Sequence, residues 1–277
     1  MDAHRILLVT GCSPEGIGRA AARRMAARGW RIFAATRRTE HFPELRAEGL
    51  EPLRLDLADE SSIAQAAEEL LAHSGGALSA VFHNGAYGQP GGLEDLPTAA
   101  LRRQFECNLF GVHELTRRLL PALLRDGGGR LLINSSVLGF VAMPWRGAYV
   151  ASKFALEGWA DALRLELENS GVDVVLIEPG PVETRFRANA LAAFHREAAV
   201  ESSRHQEVYR GLVAKYAGGK SSSAFAVGPE VVAKVVQRAL ESRRPRVRYR
   251  VTAPTKIFAF LKRVMTDRGL DRLLRLG

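Results

Sequence analysis

Short apolar runs recur along most of the chain, at 5–9, 31–35, 52–55, 80–82, 130–134 and 172–177, with stretches of helical periodicity between them. Each run is rich in Val, Ile, Leu or Phe and lacks apolar–polar alternation, which is the pattern of strands covered on both faces. Helices are predicted near 16–28, 60–73, 99–125, 148–169 and 229–242. This strand–helix rhythm predicts an α/β fold, a doubly wound parallel sheet with helices on both faces. Residues 246–252 do alternate and predict a final strand. Residues 185–225 break the rhythm, are helix-permissive and end in a Gly-Gly-Lys-Ser-Ser-Ser run, so they read as an insertion or lid over a site. No internal repeat or linker divides the rest, which leaves one domain over 1–253 and a tail over 254–277.

Composition narrows the classes of function. The 277 residues are 47% hydrophobic, enough for a substantial core, and the two cysteines, Cys12 and Cys107, neither make a disulfide scaffold nor sit at zinc-ligand spacing. No metal site is expected. No signal-like start or bilayer-length apolar run occurs, so the expectation is a cytoplasmic protein. The net charge of +9 is concentrated: residues 243–277 hold 11 Lys/Arg and 2 Asp/Glu, leaving 28 of each sign elsewhere. A terminal excess of that kind does not describe a nucleic-acid-binding face, and no nucleic-acid partner is expected.

Candidate chemistry starts directly after the first strand, in Thr10-Gly11-Cys12-Ser13-Pro14-Glu15-Gly16-Ile17-Gly18. Glycines allow a tight turn and let backbone N–H groups approach a pyrophosphate, and the start of the following helix favours negative charge. A carboxylate at the end of the second strand would select a free ribose 2′-hydroxyl. The chain instead reads Thr36-Arg37-Arg38, and two guanidiniums suit a 2′-phosphate, which favours NADP(H) over NAD(H).

Tyr149 and Lys153 are four residues apart at the start of a predicted helix, which stacks them one turn apart on one face. An ammonium and a nicotinamide cation beside a phenol stabilise phenolate, so Tyr149 could exchange a proton with a substrate oxygen. The pair alone is common in sequences. Asn134-Ser135-Ser136 changes its weight, because it ends the preceding strand and places the Ser136 hydroxyl where it can bond the same oxygen.

With these residues the chain resembles a classical short-chain dehydrogenase/reductase over residues 5–252, which implies a Rossmann-type sheet in a single domain. Gly11, Ser13, Gly16, Ile17 and Gly18 resemble the family's cofactor turn; Asp56, followed by Leu57, resembles the position that contacts adenine. His83-Asn84-Gly85-Ala86 resembles the segment after strand four, and Asn108-Leu109-Phe110-Gly111 the motif whose asparagine holds a relay water. Ser136, Tyr149 and Lys153 match the catalytic trio, and Pro179-Gly180, with Val182 and Thr184, the segment that clamps the nicotinamide amide. The stretch 149–158 is most like the subgroup of 17β-hydroxysteroid dehydrogenases, retinol dehydrogenases and acyl-dihydroxyacetone-phosphate reductases. The resemblance implies hydride transfer between NADP(H) and a hydrophobic ketone, aldehyde or secondary alcohol, in a homodimer or homotetramer. Two departures touch the cofactor. Four residues rather than three separate Gly11 from Gly16, with Glu15 unfavourable to phosphate, and the strand-four segment keeps one asparagine and transposes glycine with alanine.

The substrate pocket is expected to use Met143, Trp145 and Phe186, with Phe140, Val141 and Phe194 as further neighbours. In the tail, apolar residues at 257, 260, 261 and 264 among cations have helical spacing, which fits either docking on the protein's own core or peripheral contact with an anionic membrane. Two other readings of the fold remain open at this level: a non-catalytic dinucleotide sensor or scaffold, and an epimerase or dehydratase.

Overall fold

A computed structural model describes residues 5–125, 127–198, 201, 203–218 and 223–275. Its strands are β1 (Ile6–Thr10), β2 (Arg31–Thr36), β3 (Glu51–Arg54), β4 (Ala80–His83), β5 (Gly129–Asn134), β6 (Val172–Glu178) and β7 (Arg248–Arg250). They pair in the order β3-β2-β1-β4-β5-β6-β7, every neighbour parallel. The order reverses between β1 and β4, which opens a crevice at the carboxyl ends of these strands.

β1 explains the unpatterned apolar runs. Ile6 and Leu8 enter a layer with α3 (Glu60–His73), α5 (Gly111–Arg125) and α6 (Gly147–Glu166), meeting Ile63, Val112, Leu115 and Leu156. Leu7 and Val9 enter the opposite layer, with α1 (Ile17–Ala26) and α9 (Pro229–Glu241), among Ala20, Ala21, Val232 and Val236. Both faces are covered, so both are apolar, and burial of each such Leu, Ile or Val side chain contributes roughly 1.5–3 kcal/mol. The alanines of α1 allow it to approach α9 closely.

Three elements differ from expectation. The predicted helix over 99–125 is α4 (Thr98–Phe105), a wider π turn at Glu106–Phe110, and then α5. At that turn Gly111 lies so close to the Leu57 carbonyl that a Cβ would be 1.9 Å from its oxygen, while Asn108 turns inward. The short α2 (Phe42–Ala47), with proline in its first turn, was not foreseen. The final strand covers only Arg248–Arg250 of the predicted 246–252, because it is an edge strand pairing with the last three residues of β6.

Residues 185–225 contain α7 (Phe186–Glu197) and α8 (Gln206–Ala217); 219–222 of its glycine–serine run lie outside the described residues. Tyr209 of α8 is fully buried, accepts the Gly92 N–H at 2.9 Å and donates to Asp95. That pins the segment to the loop after β4. The tail forms α10 (Ala253–Val264) and α11 (Asp267–Arg275), with Leu276 outside the described residues. Leu270 and Leu274 are buried against Leu138 and Val141, with Phe258, Leu261 and Met265 beside them. One side of the tail therefore docks on the protein itself. No described helix is long and apolar enough to cross a membrane.

Candidate active site

A cavity of about 750 Å³ opens where β1, β4, β5 and β6 end. Its floor is the glycine turn: Gly11, Ser13, Gly16 and Ile17 line it. Gly11 has φ +72°, and a Cβ there would stand 2.8 Å from Gly85 Cα, so this position requires glycine. The extra residue is absorbed by Glu15, which takes the left-handed conformation at φ 59°, while the Gly16 N–H closes the turn on the Ser13 carbonyl at 3.2 Å. α1 then starts without a side-chain cap. Its first N–H groups and the turn beneath them fit a pyrophosphate, whose oxygens would satisfy those donors.

Asn84 is the rivet of this floor. Its N–H donates to the Thr10 hydroxyl at 2.9 Å, its amide to the Thr10 carbonyl at 3.0 Å, and its Oδ1 accepts from Asn134 at 2.9 Å. One side chain ties β4 to both β1 and β5. Gly18 serves packing rather than lining: a Cβ would stand 2.7 Å from the Gly11 carbonyl. Arg37, Arg38, Asp56 and Leu57 lie beyond the lined cavity, after the ends of β2 and β3. Both arginines are exposed; the Asp56 carboxylate accepts the Ala58 N–H at 3.1 Å, and Leu57 is buried against Gly85.

Ser136, Tyr149 and Lys153 meet at one wall. Ser136 leaves β5 and caps the short turn Val137–Gly139, its hydroxyl accepting the Leu138 N–H at 3.1 Å, and it lines the cavity beside Tyr149. Lys153, buried, donates to the Asn134 carbonyl at 2.7 Å and lies 5.7 Å from the centroid of the Tyr149 ring. Burial pushes the phenol up to about 12, against the lowering pull of the Ser136 hydroxyl and the Arg146 charge. Burial also pushes the ammonium down to about 8, against Cys107 and Glu157. The Lys153 ammonium donates to a carbonyl, and in the protein alone desolvation holds the phenol protonated.

On the far side of the trio, Pro179, Gly180, Val182 and Thr184 follow β6 and line the cavity. A Cβ at Gly180 would lie 2.2 Å from Thr252 Oγ1, so the chain passes there only as glycine. Phe186 stands edge-on to Tyr149 with centroids 5.4 Å apart, and Met143 lines the same space.

Several expectations move. Trp145 does not line the cavity; its backbone is left-handed at φ 65° and its ring packs on His205 at 4.7 Å and on Tyr209 at 6.0 Å. Phe194 is buried against Tyr209, Val141 is buried beneath the tail, and Phe140 faces Arg250. Asn108 lies next to the site, but its side chain is committed: Oδ1 accepts the Tyr87 N–H at 3.1 Å, and Nδ2 donates to the Tyr87 carbonyl and to Ser152. It buttresses α6 rather than presenting a free amide. Sequence reasoning missed Arg146, Arg185, Arg187 and Lys215, and missed the tail residues Pro254, Ile257, Phe258, Leu261 and Leu273 as cavity wall. Arg146, one helical turn before Tyr149, was within reach of the same spacing argument.

A parallel sheet with its phosphate turn, tyrosine, lysine and serine at one crevice defines a dinucleotide-binding oxidoreductase class. The sequence profile described as short chain dehydrogenase matches residues 5–193, and the chain belongs to that family. It is 38% identical over 269 residues to the uncharacterized oxidoreductase YbbO of Escherichia coli strain K12, covering 97% of this chain and 93% of that protein. It is 31% identical to the NADPH-dependent 1-acyldihydroxyacetone phosphate reductase of Schizosaccharomyces pombe, over 77% of this chain and 71% of that protein. Among solved structures, a short-chain dehydrogenase from Streptomyces avermitilis superposes with a TM-score of 0.77 at 27% identity, covering 95% and 94% of the two chains.

Proposed function

We propose that the protein is an NADP(H)-dependent oxidoreductase that moves a hydride between the nicotinamide and a hydrophobic ketone or aldehyde, or the corresponding secondary alcohol. The observation that carries this reading is that Ser136, Tyr149 and Lys153 converge where the phosphate-binding turn meets an apolar cavity. When bound, the nicotinamide supplies or accepts the hydride. In reduction, Ser136 orients the substrate carbonyl by donating to its oxygen, and Tyr149 delivers the phenolic proton to that oxygen as negative charge develops. Lys153 holds the ribose hydroxyls and, with the positive nicotinamide beside it, favours phenolate, opposing the burial that keeps the phenol protonated in the protein alone. The uncapped start of α1, with Ser13 and Gly16, holds the pyrophosphate; Pro179, Gly180, Val182 and Thr184 position the amide. Arg37 and Arg38, exposed at the end of β2, support the 2′-phosphate and hence NADP(H), in keeping with an NADPH-dependent relative.

The test is NADPH and NADH oxidation by the parent and by Tyr149→Phe against steroids, retinoids, acyl ketones and aromatic carbonyls. The variant should fold, bind nucleotide and lose turnover by several orders of magnitude. Turnover within about threefold of the parent would remove Tyr149 from the mechanism. Substrate conversion without a stoichiometric absorbance change would favour an epimerase or dehydratase.

Assembly and surface contact belong to the same proposal. Exposed Phe110 and Phe154 support a homodimer or homotetramer, checked by light scattering. Exposed Ile257, Phe260 and Val264 among cations support peripheral contact with an anionic membrane. Because the tail also walls the cavity, the clean test is vesicle co-sedimentation of a Phe260→Ser/Val264→Ser variant rather than deletion of 254–277.

A further inference from the structure

At the start of α6, Arg146, Tyr149 and Lys153 are spaced three and four residues apart, and all three line the cavity. That spacing puts a guanidinium one turn before the phenol and an ammonium one turn after it on the same helix face. The ammonium donates to the Asn134 carbonyl. Arg146 is the N-cap residue of α6 and is half-buried, with its guanidinium 3.8 Å from the Met143 sulfur. An arginine side chain cannot accept the first N–H groups of a helix, so α6 starts without a side-chain cap. Its charge adds instead to the partial positive charge of the helix start, where Tyr149 is the third residue. The backbone around it is fixed on both sides. Trp145 takes the left-handed conformation at φ 65°, uncommon for a bulky side chain, its carbonyl accepts the Gly91 N–H at 3.0 Å, and its ring packs on His205 and Tyr209. The Arg146 carbonyl accepts the Val150 N–H at 2.9 Å and opens the first turn of α6.

We infer that Arg146 is a positioning residue of the proposed reaction, its guanidinium stabilising the phenolate left on Tyr149 when the phenolic proton has passed to the substrate oxygen, a role that rests on the oxidoreductase reading and deepens it. The proton leaves the phenol oxygen for the substrate oxygen, and the phenolate takes its replacement from water. A half-buried charge is screened less than an exposed one, so a guanidinium one turn away acts on the phenol with appreciable strength. In the protein alone the Arg146 charge already pulls the phenol down against burial. The other charged groups of the cavity wall are Lys153 on the same helix, Arg185 and Arg187 at the start of α7 and Lys215 of α8, while the tail contributes only apolar residues and Pro254. Cys107 of the π turn and Glu157 of α6 act on Lys153.

Ionisation of the phenol tests this apart from turnover. Full-length protein, isotope-labelled at tyrosine Cζ and saturated with NADP⁺, is titrated with base and followed by NMR, the Tyr149 resonance being assigned by its loss in Tyr149→Phe. At a given alkaline pH, Arg146→Gln should hold roughly three- to tenfold less phenolate than the parent, the size expected for removing one nearby charge from a half-buried wall. Arg146→Lys should keep most of the parent's phenolate, which separates lost charge from altered packing. A glutamine variant whose phenol titrates with the parent overturns the inference, and so does an equal loss in the glutamine and lysine variants, since the arginine would then act through its shape. Reduction of any carbonyl in the panel gives a second readout. Its rate falls at the alkaline pH where the phenol ionises, and that fall should move to higher pH in Arg146→Gln; an unmoved profile counts against the inference. A shifted phenol in a protein that turns over no carbonyl keeps the role of Arg146 and sinks the oxidoreductase reading, whereas carbonyl turnover with an unshifted phenol does the reverse.

Discussion

The two ends of the cavity are built from different material. The nucleotide end is backbone: a turn at Gly11 to Gly16, an uncapped helix start, and glycines whose Cβ would strike Gly85 or Thr252. The substrate end is side chains from late elements, Phe186 of α7, Lys215 and Tyr216 of α8, and Phe258 and Leu261 of α10. Main-chain N–H groups can recognise one conserved chemical object, a pyrophosphate, whereas exchangeable side chains on appended helices can change ligand without disturbing the sheet. One end can therefore be damaged while the other is left standing.

Among changes confined to one end, the largest effect is expected from Gly11→Ala. The position is left-handed, and a Cβ there meets the Gly85 backbone, so the turn must shift. Strain on the order of 1–3 kcal/mol translates into roughly a ten- to hundredfold loss of NADP⁺ affinity. Fluorescence titration measures it, and an undisturbed affinity would detach the turn from nucleotide binding. Next comes Arg37→Gln/Arg38→Gln. Losing two charge-assisted contacts should cut the preference for NADPH over NADH about ten- to hundredfold in kcat/KM. A preference that survives would place the 2′-phosphate elsewhere.

The same division governs what could be read from the sequence. Strands β1, β2, β4, β5 and β6 are doubly covered, so their apolar runs were legible, and Gly11, Ser136, Tyr149 and Lys153 follow strand ends or one helical turn at fixed spacing. The tail was not legible as cavity wall. Apolar residues at 257 and 261 have the same helical period whether they face a core, a membrane or a ligand, and only the long-range contact of Leu270 and Leu274 with Leu138 and Val141 settles their place. Trp145 was misplaced for a related reason: its partner His205 lies 60 residues away in the segment that broke the pattern. Sequence spacing reports a charge neighbouring Tyr149 but not the desolvation that raises its phenol in the protein alone.

Cutting the tail loose should affect the substrate end alone. Leu274→Ala removes a buried side chain from the contact with Leu138 and Val141, at a cost of about 2–3 kcal/mol locally. The KM for a hydrophobic carbonyl should rise several-fold while NADP⁺ affinity stays within about twofold. An equal loss at both ends would mean that the tail supports the whole crevice.

The smallest effect falls on Lys153, where the two ends meet. Its ammonium is held at about 8 in the fold against 10.5 for the free side chain. Between those values the unfolded chain binds more protons than the folded one, so this group's contribution to stability grows as pH rises from about 8 to about 10. Tyr149 has the opposite sign: its phenol is at about 12 in the fold against 10.0 when free, so its contribution is present below about 10 and is lost as pH rises toward 12. The useful window therefore lies below the tyrosine's range. In the nucleotide-free protein, the melting temperature of the parent relative to Lys153→Met should rise by on the order of a few degrees between about pH 7.5 and about pH 9.5. A difference that does not move over that window would mean the bond to the Asn134 carbonyl compensates the buried charge, leaving Lys153 an ordinary ammonium before any nucleotide arrives.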